Sequence, residues 1–144
     1  MMRNQNVGAN KQKGVAAVEF ALIAIVFLTL LFGIIEFGRV LFTWNSAVEA
    51  TRFGVRTAAV CDIGSGAVLT NMKKIMSNLT ATNVVVSYEP SGCLINTCER
   101  VSVRVQNLTI TPLIPFFNPT IPVPSFETSL MRESLTSASN PVCS

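Results

Sequence analysis

A long uninterrupted apolar stretch near the N-terminus restricts this chain more than any other feature. Residues 20–35 carry no charge and are interrupted only by Thr29 and Gly33, and extending the stretch back to Val15 adds a single charge, Glu19. As an α-helix, the 21 residues from Val15 to Ile35 span roughly 32 Å, which is close to the hydrocarbon thickness of a bilayer. The sequence therefore predicts one membrane-crossing helix.

Charge is distributed unevenly around this stretch. Only 13% of the 144 residues are charged, against about 25% in an average soluble domain. The formal net charge of +3 is carried entirely by residues 1–14, which contain Arg3, Lys11 and Lys13 and no acidic residue. A short basic segment before an apolar span predicts a cytoplasmic N-terminus, with the rest of the chain outside the cytoplasm. Because the remainder is neutral, we expect no nucleic-acid partner.

The first residues differ from an ordinary secretory signal. Such a signal has an apolar region of 7 to 15 residues followed by an A-x-A-type cleavage site, whereas this apolar region is longer and no such site follows it. The basic segment ends instead at Gly14, and Glu19 follows five residues later. A carboxylate inside a span is costly, so it calls for a functional explanation.

Three ordered blocks then resemble a known family. Residues 14–23 (GVAAVEFALI), 33–39 (GIIEFGR) and 50–59 (ATRFGVRTAA) are similar to the TadE-like pseudopilins of tight-adherence (Flp) type IV pilus systems. This chain has Ile25 where the family often has proline, which predicts a straighter helix.

The resemblance implies a processing and assembly site. A membrane-embedded prepilin peptidase would cut between Gly14 and Val15, and Glu19, followed by Phe20, would become the fifth residue of the mature chain. In such assemblies this glutamate pairs with the new N-terminal amine of a neighbouring subunit. The implied partners are the prepilin peptidase, other pilin and pseudopilin subunits, the inner-membrane assembly platform and the lipid bilayer.

Each of these signals also has a simpler interpretation. Glu19 could lie at interfacial depth, solvated by lipid headgroups. Glu36 and Arg39 lie three residues apart, so they could form an ordinary i,i+3 pair at the end of the span rather than a contact between subunits. A stripe of small residues would allow close helix packing but is common in membrane helices; it consists of Ala17, Ala21 and Ala24.

The periodicity beyond the span predicts a helix that continues as a stalk to about Val60. A turn follows at residues 61–66, then a short helix over Ala67–Leu79. Strands are expected over Val84–Tyr88, from Val101 onward towards Ile110, and within Ser125–Glu133, with an extended proline-rich loop over Leu113–Pro124. The predicted fold class is α+β: a long membrane-spanning helix, then a short helix against a small antiparallel sheet. The predicted divisions are a basic leader (1–14), a transmembrane and stalk helix (15–60) and a small outer domain (61–144).

All four cysteines follow the predicted span, where oxidation is possible. Four cysteines allow three pairings, and the sequence does not choose among them. We favour Cys93 with Cys98, flanking a turn between two strands, and Cys61 with Cys143, joining the tail to the stalk. The alternative is that one or both pairs stay reduced.

The sequence gives little support for an enzymatic activity. The chain has no histidine, no activated nucleophile can be identified, and the cysteine spacings lack a paired C-x-x-C for zinc. We therefore expect no catalytic residue, metal or cofactor. The predicted function is that of a minor pilin or pseudopilin acting in assembly, priming or tip formation of a tight-adherence pilus at the bacterial inner membrane. The alternative is a single-pass, uncleaved periplasmic binding or scaffold protein.

Overall fold

A computed structural model describes residues 9–113, 120–133 and 137–143, with side chains from Gly14 onward. The chain divides into two compact units, residues 1–39 and 40–144, which we call the inner unit and the outer unit. The order of elements is α1 (Ala9–Val60), α2 (Ala67–Ile75), β1 (Val84–Glu89), β2 (Arg100–Val105), β3 (Thr109–Ile110), β4 (Ile121–Pro122) and β5 (Phe126–Met131). The α+β class predicted from the sequence is confirmed.

Helix α1 begins earlier than the apolar pattern predicts. It starts at Ala9, six residues before Val15, because the intervening Lys and Gln residues are good helix formers and the first proline of the chain is Pro90. The helix ends at Val60. In the turn that follows, Gly64 adopts a φ of 79°. The large apolar side chains of residues 15–37 are exposed in the inner unit, and α1 is long and apolar enough to cross a membrane.

Helix α2 is shorter than predicted and ends at Ile75 instead of Leu79. Its last turn closes through a hydrogen bond from the Met76 amide to the Met72 carbonyl, after which Met76 is extended (φ −133°, ψ 92°). Met76 and Leu79 are still buried. The apolar periodicity therefore identified the buried positions correctly, although the last of them lie beyond the helix.

The main sheet is antiparallel, in the order β1-β2-β5. The central strand β2 pairs with β1 through Val103↔Val86 and with β5 through Val103↔Thr128. The prediction that β2 runs on towards Ile110 is wrong, because Asn107 adopts a φ of 55° and ends the ladder. Two-residue strands β3 and β4 form a separate pair, so the predicted proline-rich loop contains a short strand. Its Pro115, Phe116, Phe117 and Pro119 lie outside the described residues.

The core of the outer unit combines α1, α2 and the sheet. Val101, Val103 and Val105 of β2 are fully buried, together with Met72 of α2. Along α1, small residues at helical spacing form the buried face: Ala47, Ala50, Gly54 and Ala58. A Cβ added to Gly54 would lie 2.5 Å from the Met72 sulfur, so any larger residue here would force the buried Met72 side chain to shift. Residues 40–60 of α1 are therefore part of the outer unit's core.

Candidate processing and assembly site

The proposed cleavage point lies on the exposed surface of α1. Gly14 and Val15 are both exposed, and a Cβ built on Gly14 would have no heavy atom within 4 Å. The bond between them lies inside the helix, whereas proteases bind substrate backbone in an extended form. Cleavage at this bond would therefore require local unwinding of the helix. Glycine at position 14 favours this unwinding, because a helix with glycine in its interior is about 1 kcal/mol less stable than one with alanine there.

Helix geometry separates Glu19 from the small-residue stripe. At about 100° per residue, Ala17, Ala21 and Ala24 lie within a sector of about 60°. Glu19 lies about 140° to 160° from each of these three residues, on the opposite side of α1. The Glu19 side chain is exposed, and no described side chain forms an ion pair with it. A neighbour that packs on the stripe would therefore not be the one that meets Glu19.

Glu36 and Arg39 pair within α1, as their spacing predicts. The Arg39 Nη1 donates to both carboxylate oxygens of Glu36, at 2.9 and 3.0 Å. Glu49 and Arg52 have the same spacing, but Arg52 Nη1 lies 3.6 Å from Glu49 Oε2 and both side chains are more than half exposed. Surface pairs of the second kind contribute little to stability.

Part of helix α1 matches a known protein family. The family model described as TadE-like protein matches residues 14–56. These residues form a TadE-like segment. The match confirms the family predicted from the sequence, begins at Gly14 and ends within α1. No curated protein and no solved structure gives a match.

Beyond the TadE-like segment, two disulfides hold the outer unit. They join Cys61 to Cys143 and Cys93 to Cys98, the pairing favoured from the sequence. The tail has further attachments near the first disulfide. The Asp62 amide donates to Ser137 Oγ at 2.8 Å, and the buried Asn71 donates its Nδ2 to the Val142 carbonyl at 2.9 Å.

Sequence reasoning missed a polar cluster that follows the TadE-like segment. The Arg132 guanidinium donates to the Cys61 carbonyl at 3.3 Å and lies 5.4 Å from the centre of the Tyr88 ring. A cation at this carbonyl compensates the partial negative charge at the C-terminal end of α1. Burial raises the pKa of the Tyr88 hydroxyl above its ordinary value of 10.0, opposed by the positive charge of Arg132 and by a hydrogen bond from Gly64. No sequence signal marked Arg132, because its partners are distant along the chain.

An ion pair crosses the exposed face of the sheet. Arg104 Nε donates to Glu127 Oε2 at 2.9 Å, and the two residues are cross-strand partners in the β2–β5 ladder. Hydrogen bonds from Arg104 and then Ser102 lower the pKa of the Glu127 carboxyl. Among the described residues no group of three or more His, Cys, Asp or Glu side chains could hold a metal ion.

Proposed function

We propose that this chain is a minor pilin or pseudopilin of a tight-adherence pilus, cleaved between Gly14 and Val15 by a prepilin peptidase. The observation that carries the proposal is the extent of the TadE-like match, which begins at Gly14, the residue before the proposed bond. The exposure of Gly14 and Val15 on α1 is compatible with access by a protease.

Glu19 supplies the reason why only cleaved subunits assemble. A carboxylate within an apolar span costs about 2.5–3.5 kcal/mol at mid-helix, and less near an end. Cleavage creates a new amine at Val15, and this amine pairs with Glu19 of a neighbouring subunit. In an uncleaved chain the Val15 nitrogen is part of a peptide bond and cannot form this pair. A buried charge without its partner is strongly unfavourable, so unprocessed subunits are excluded.

The proposed location is the bacterial inner membrane, with the basic leader in the cytoplasm and the outer unit in the periplasm. The partners are the prepilin peptidase, the assembly platform and other pilin subunits. The two disulfides of the outer unit agree with an oxidising compartment. A minor role is favoured over the fibre body, because major Flp pilins are far shorter than this chain.

The proposal is tested by the mass and N-terminal sequence of the chain recovered from membranes of its native host. We expect the chain to begin at Val15. A start at Met1 or Met2 would contradict processing and favour the uncleaved periplasmic binding or scaffold protein. The composition of sheared fibres tests the minor role, since dominance of this chain would identify it as a major pilin.

A matched pair of variants tests the cleavage residue. Gly14→Val places a branched side chain beside the bond, so cleavage should fall at least about tenfold, which corresponds to 1.4 kcal/mol. Gly33→Val is the control, because Gly33 has equally open surroundings in the same helix and should leave cleavage unchanged. Equal processing of both variants would contradict the role of Gly14.

A further inference from the structure

The contacts of α2 show that it runs antiparallel to the outer unit's part of α1. Met72 lies against Gly54, whereas residues 75–78, which end α2 and follow it, line a shallow groove with side chains from residues 42–46. Later positions of α2 therefore contact earlier positions of α1. The C-terminal end of α2 lies at the end of the outer unit where α1 enters it.

This end of the outer unit adjoins the apolar stretch of α1. Only residues 36–41 separate Phe42 from Ile35, the last residue of that stretch, and the step from Ile35 to Phe42 is about 10 Å of helix. The headgroup layer on each side of a bilayer is about 5–8 Å thick. We call the surface formed by residues 42–46 and 73–78 the proximal surface. In a chain that crosses the membrane, it lies at the outer margin of the lipid headgroups.

The proximal surface has an excess of positive charge. Lys73 and Lys74 are exposed in the last turn of α2, and residues 63–88 contain no acidic residue. No ion pair joins either lysine to a described side chain. The acidic residues of α1 beside this surface, and the one on the central part of the sheet, each pair with an arginine: Glu36 with Arg39, Glu49 with Arg52 and Glu127 with Arg104. The two lysines therefore determine the net charge of this surface.

The uncharged side chains of the proximal surface match the mixed chemistry of a headgroup layer. Phe42 is 73% exposed and Ile75 is 37% exposed, and both supply apolar surface for the boundary between headgroups and acyl chains, where aromatic residues are enriched. Ser46, Ser77 and Asn78 line the groove between them, and their hydroxyl and amide groups are hydrogen-bond donors for phosphate oxygens. Because lipid is already present at this depth, no other partner has to be recruited.

We propose that the proximal surface docks on anionic lipid headgroups of the periplasmic leaflet, with Lys73 and Lys74 bound to their phosphates. Each lysine near an anionic membrane surface strengthens binding by about fivefold. The span keeps the lysines close to the bilayer, which raises their effective concentration there. The inference deepens the proposed function, on whose membrane location it rests, by naming anionic lipid as a partner of the outer unit.

Photo-crosslinking of the full chain in nanodiscs tests the contact. Benzoylphenylalanine replaces the exposed Ser77, and the nanodiscs contain either phosphatidylcholine alone or phosphatidylcholine mixed with phosphatidylglycerol. We expect the yield of lipid adducts to be about threefold or more higher in the mixture, and to fall at high salt because screening weakens the attraction. Equal yields from Ser77 in the two lipids would overturn the proposal.

A second crosslinking position is the control for general contact with lipid. The same amino acid replaces Ile63, which is also exposed and follows the far end of α1. Along the helix, Val60 lies about 27 Å beyond Phe42. We expect few lipid adducts from this position in either lipid. Yields at Ile63 that match those at Ser77 would overturn the proximal surface as the site of docking.

Matched charge variants identify the residue responsible. Lys73→Gln should lower the Ser77 adduct yield in the mixed lipid by about threefold or more, and Lys73→Arg should retain it. Arg56→Gln removes the same charge from an exposed position about 21 Å farther along α1 than Phe42, and should leave the yield unchanged. Equal losses in Lys73→Gln and Arg56→Gln would overturn the proposal. Retained disulfides and protease resistance of the outer unit establish that each variant is folded.

The same Ser77 crosslinker in the native host distinguishes lipid from a protein partner. We expect lipid adducts there as well, and crosslinks only to protein would overturn the proposal.

Failure of this inference can be told apart from failure of the proposed function. A chain that begins at Val15 in the host but shows no dependence on anionic lipid would refute the docking alone. Adducts that depend on anionic lipid, from a chain that begins at Met1 in the host, would support the docking and refute processing.

Discussion

At the residue scale, Glu19 is the group whose chemistry depends most on a partner. It is the only charged residue from Val15 to Ile35, and it lies on the side of α1 opposite Ala17, Ala21 and Ala24. Two helices that pack on opposite sides of α1 would therefore meet a small-residue surface on one side and a carboxylate on the other. The separation follows from helix geometry alone.

Replacing Glu19 tests its proposed role in assembly. We expect Glu19→Ala and Glu19→Gln to be inserted and cut normally but no longer incorporated into fibres, because neither can neutralise the amine of a neighbour. Amounts in membranes and in sheared fibres measure the two steps separately.

Thr29→Ala is the matched control, since Thr29 lies in the same span and its hydroxyl donates only to its own helix, at Ile25 O. Normal piliation in both Glu19 variants would refute the salt-bridge mechanism.

At the element scale, α1 has two different environments. Residues 20–35 are apolar on all sides, as a span requires, whereas residues 40–60 bury one face built from small side chains. The small residues allow α2 and the sheet to approach the helix closely. The sequence shows the change of pattern, but only the packing shows that Gly54 faces Met72.

Gly54→Ala should therefore destabilise the outer unit. The added methyl group would lie 2.5 Å from the sulfur and 2.8 Å from Cγ of the fully buried Met72, and overpacking of this kind costs about 1–3 kcal/mol. Gly38→Ala is the control, because nothing lies within 4 Å of its added Cβ. Thermal unfolding of the full chain in micelles, followed by the fluorescence of Trp44, measures both. Equal unfolding temperatures would contradict the packing argument.

The two disulfides should contribute unequally to the stability of the outer unit. Cys61 and Cys143 are 82 positions apart, and Cys93 and Cys98 only 5. By reducing the entropy of the unfolded chain, the first disulfide should stabilise the fold by about 4.5 kcal/mol and the second by about 2 kcal/mol.

We expect the Cys61→Ser/Cys143→Ser chain to unfold at a clearly lower denaturant concentration than the Cys93→Ser/Cys98→Ser chain. The reverse order would show that strain or residual unfolded structure outweighs chain entropy.

At the scale of the whole molecule, the outer unit depends on a helix that begins in the inner unit. Its core takes Ala47, Ala50, Val55 and Ala58 from α1, and its α2, sheet and disulfides from later residues. The predicted boundary after residue 60 therefore passes through a shared core. An experiment can therefore determine which segment folds by itself.

Two fragments answer it. We expect residues 40–144 to fold, and residues 61–144 to remain largely unfolded, although both fragments contain all four cysteines, α2 and the sheet. Without α1, the valines of β2 lose the surface that covers them, and burial of each contributes about 1.5–3 kcal/mol. The dispersion of amide signals in NMR spectra measures folding. A well-dispersed spectrum from residues 61–144 would support the boundary predicted from the sequence.

The sequence by itself determined the features that depend on local order. The apolar run specifies a span because a bilayer leaves backbone groups only their own helix to bond with. The i,i+3 spacing specifies the Glu36–Arg39 pair, and the alternation of valines specifies β2. The TadE-like family was recognisable for the same reason, since its blocks lie along one helix.

Only the tertiary structure decided what depends on distant segments. The Arg132 contact with the Cys61 carbonyl and the fit of Gly54 against Met72 each join residues of different segments. Such pairings follow from how α1, α2 and the sheet pack together, and no spacing in the sequence encodes them.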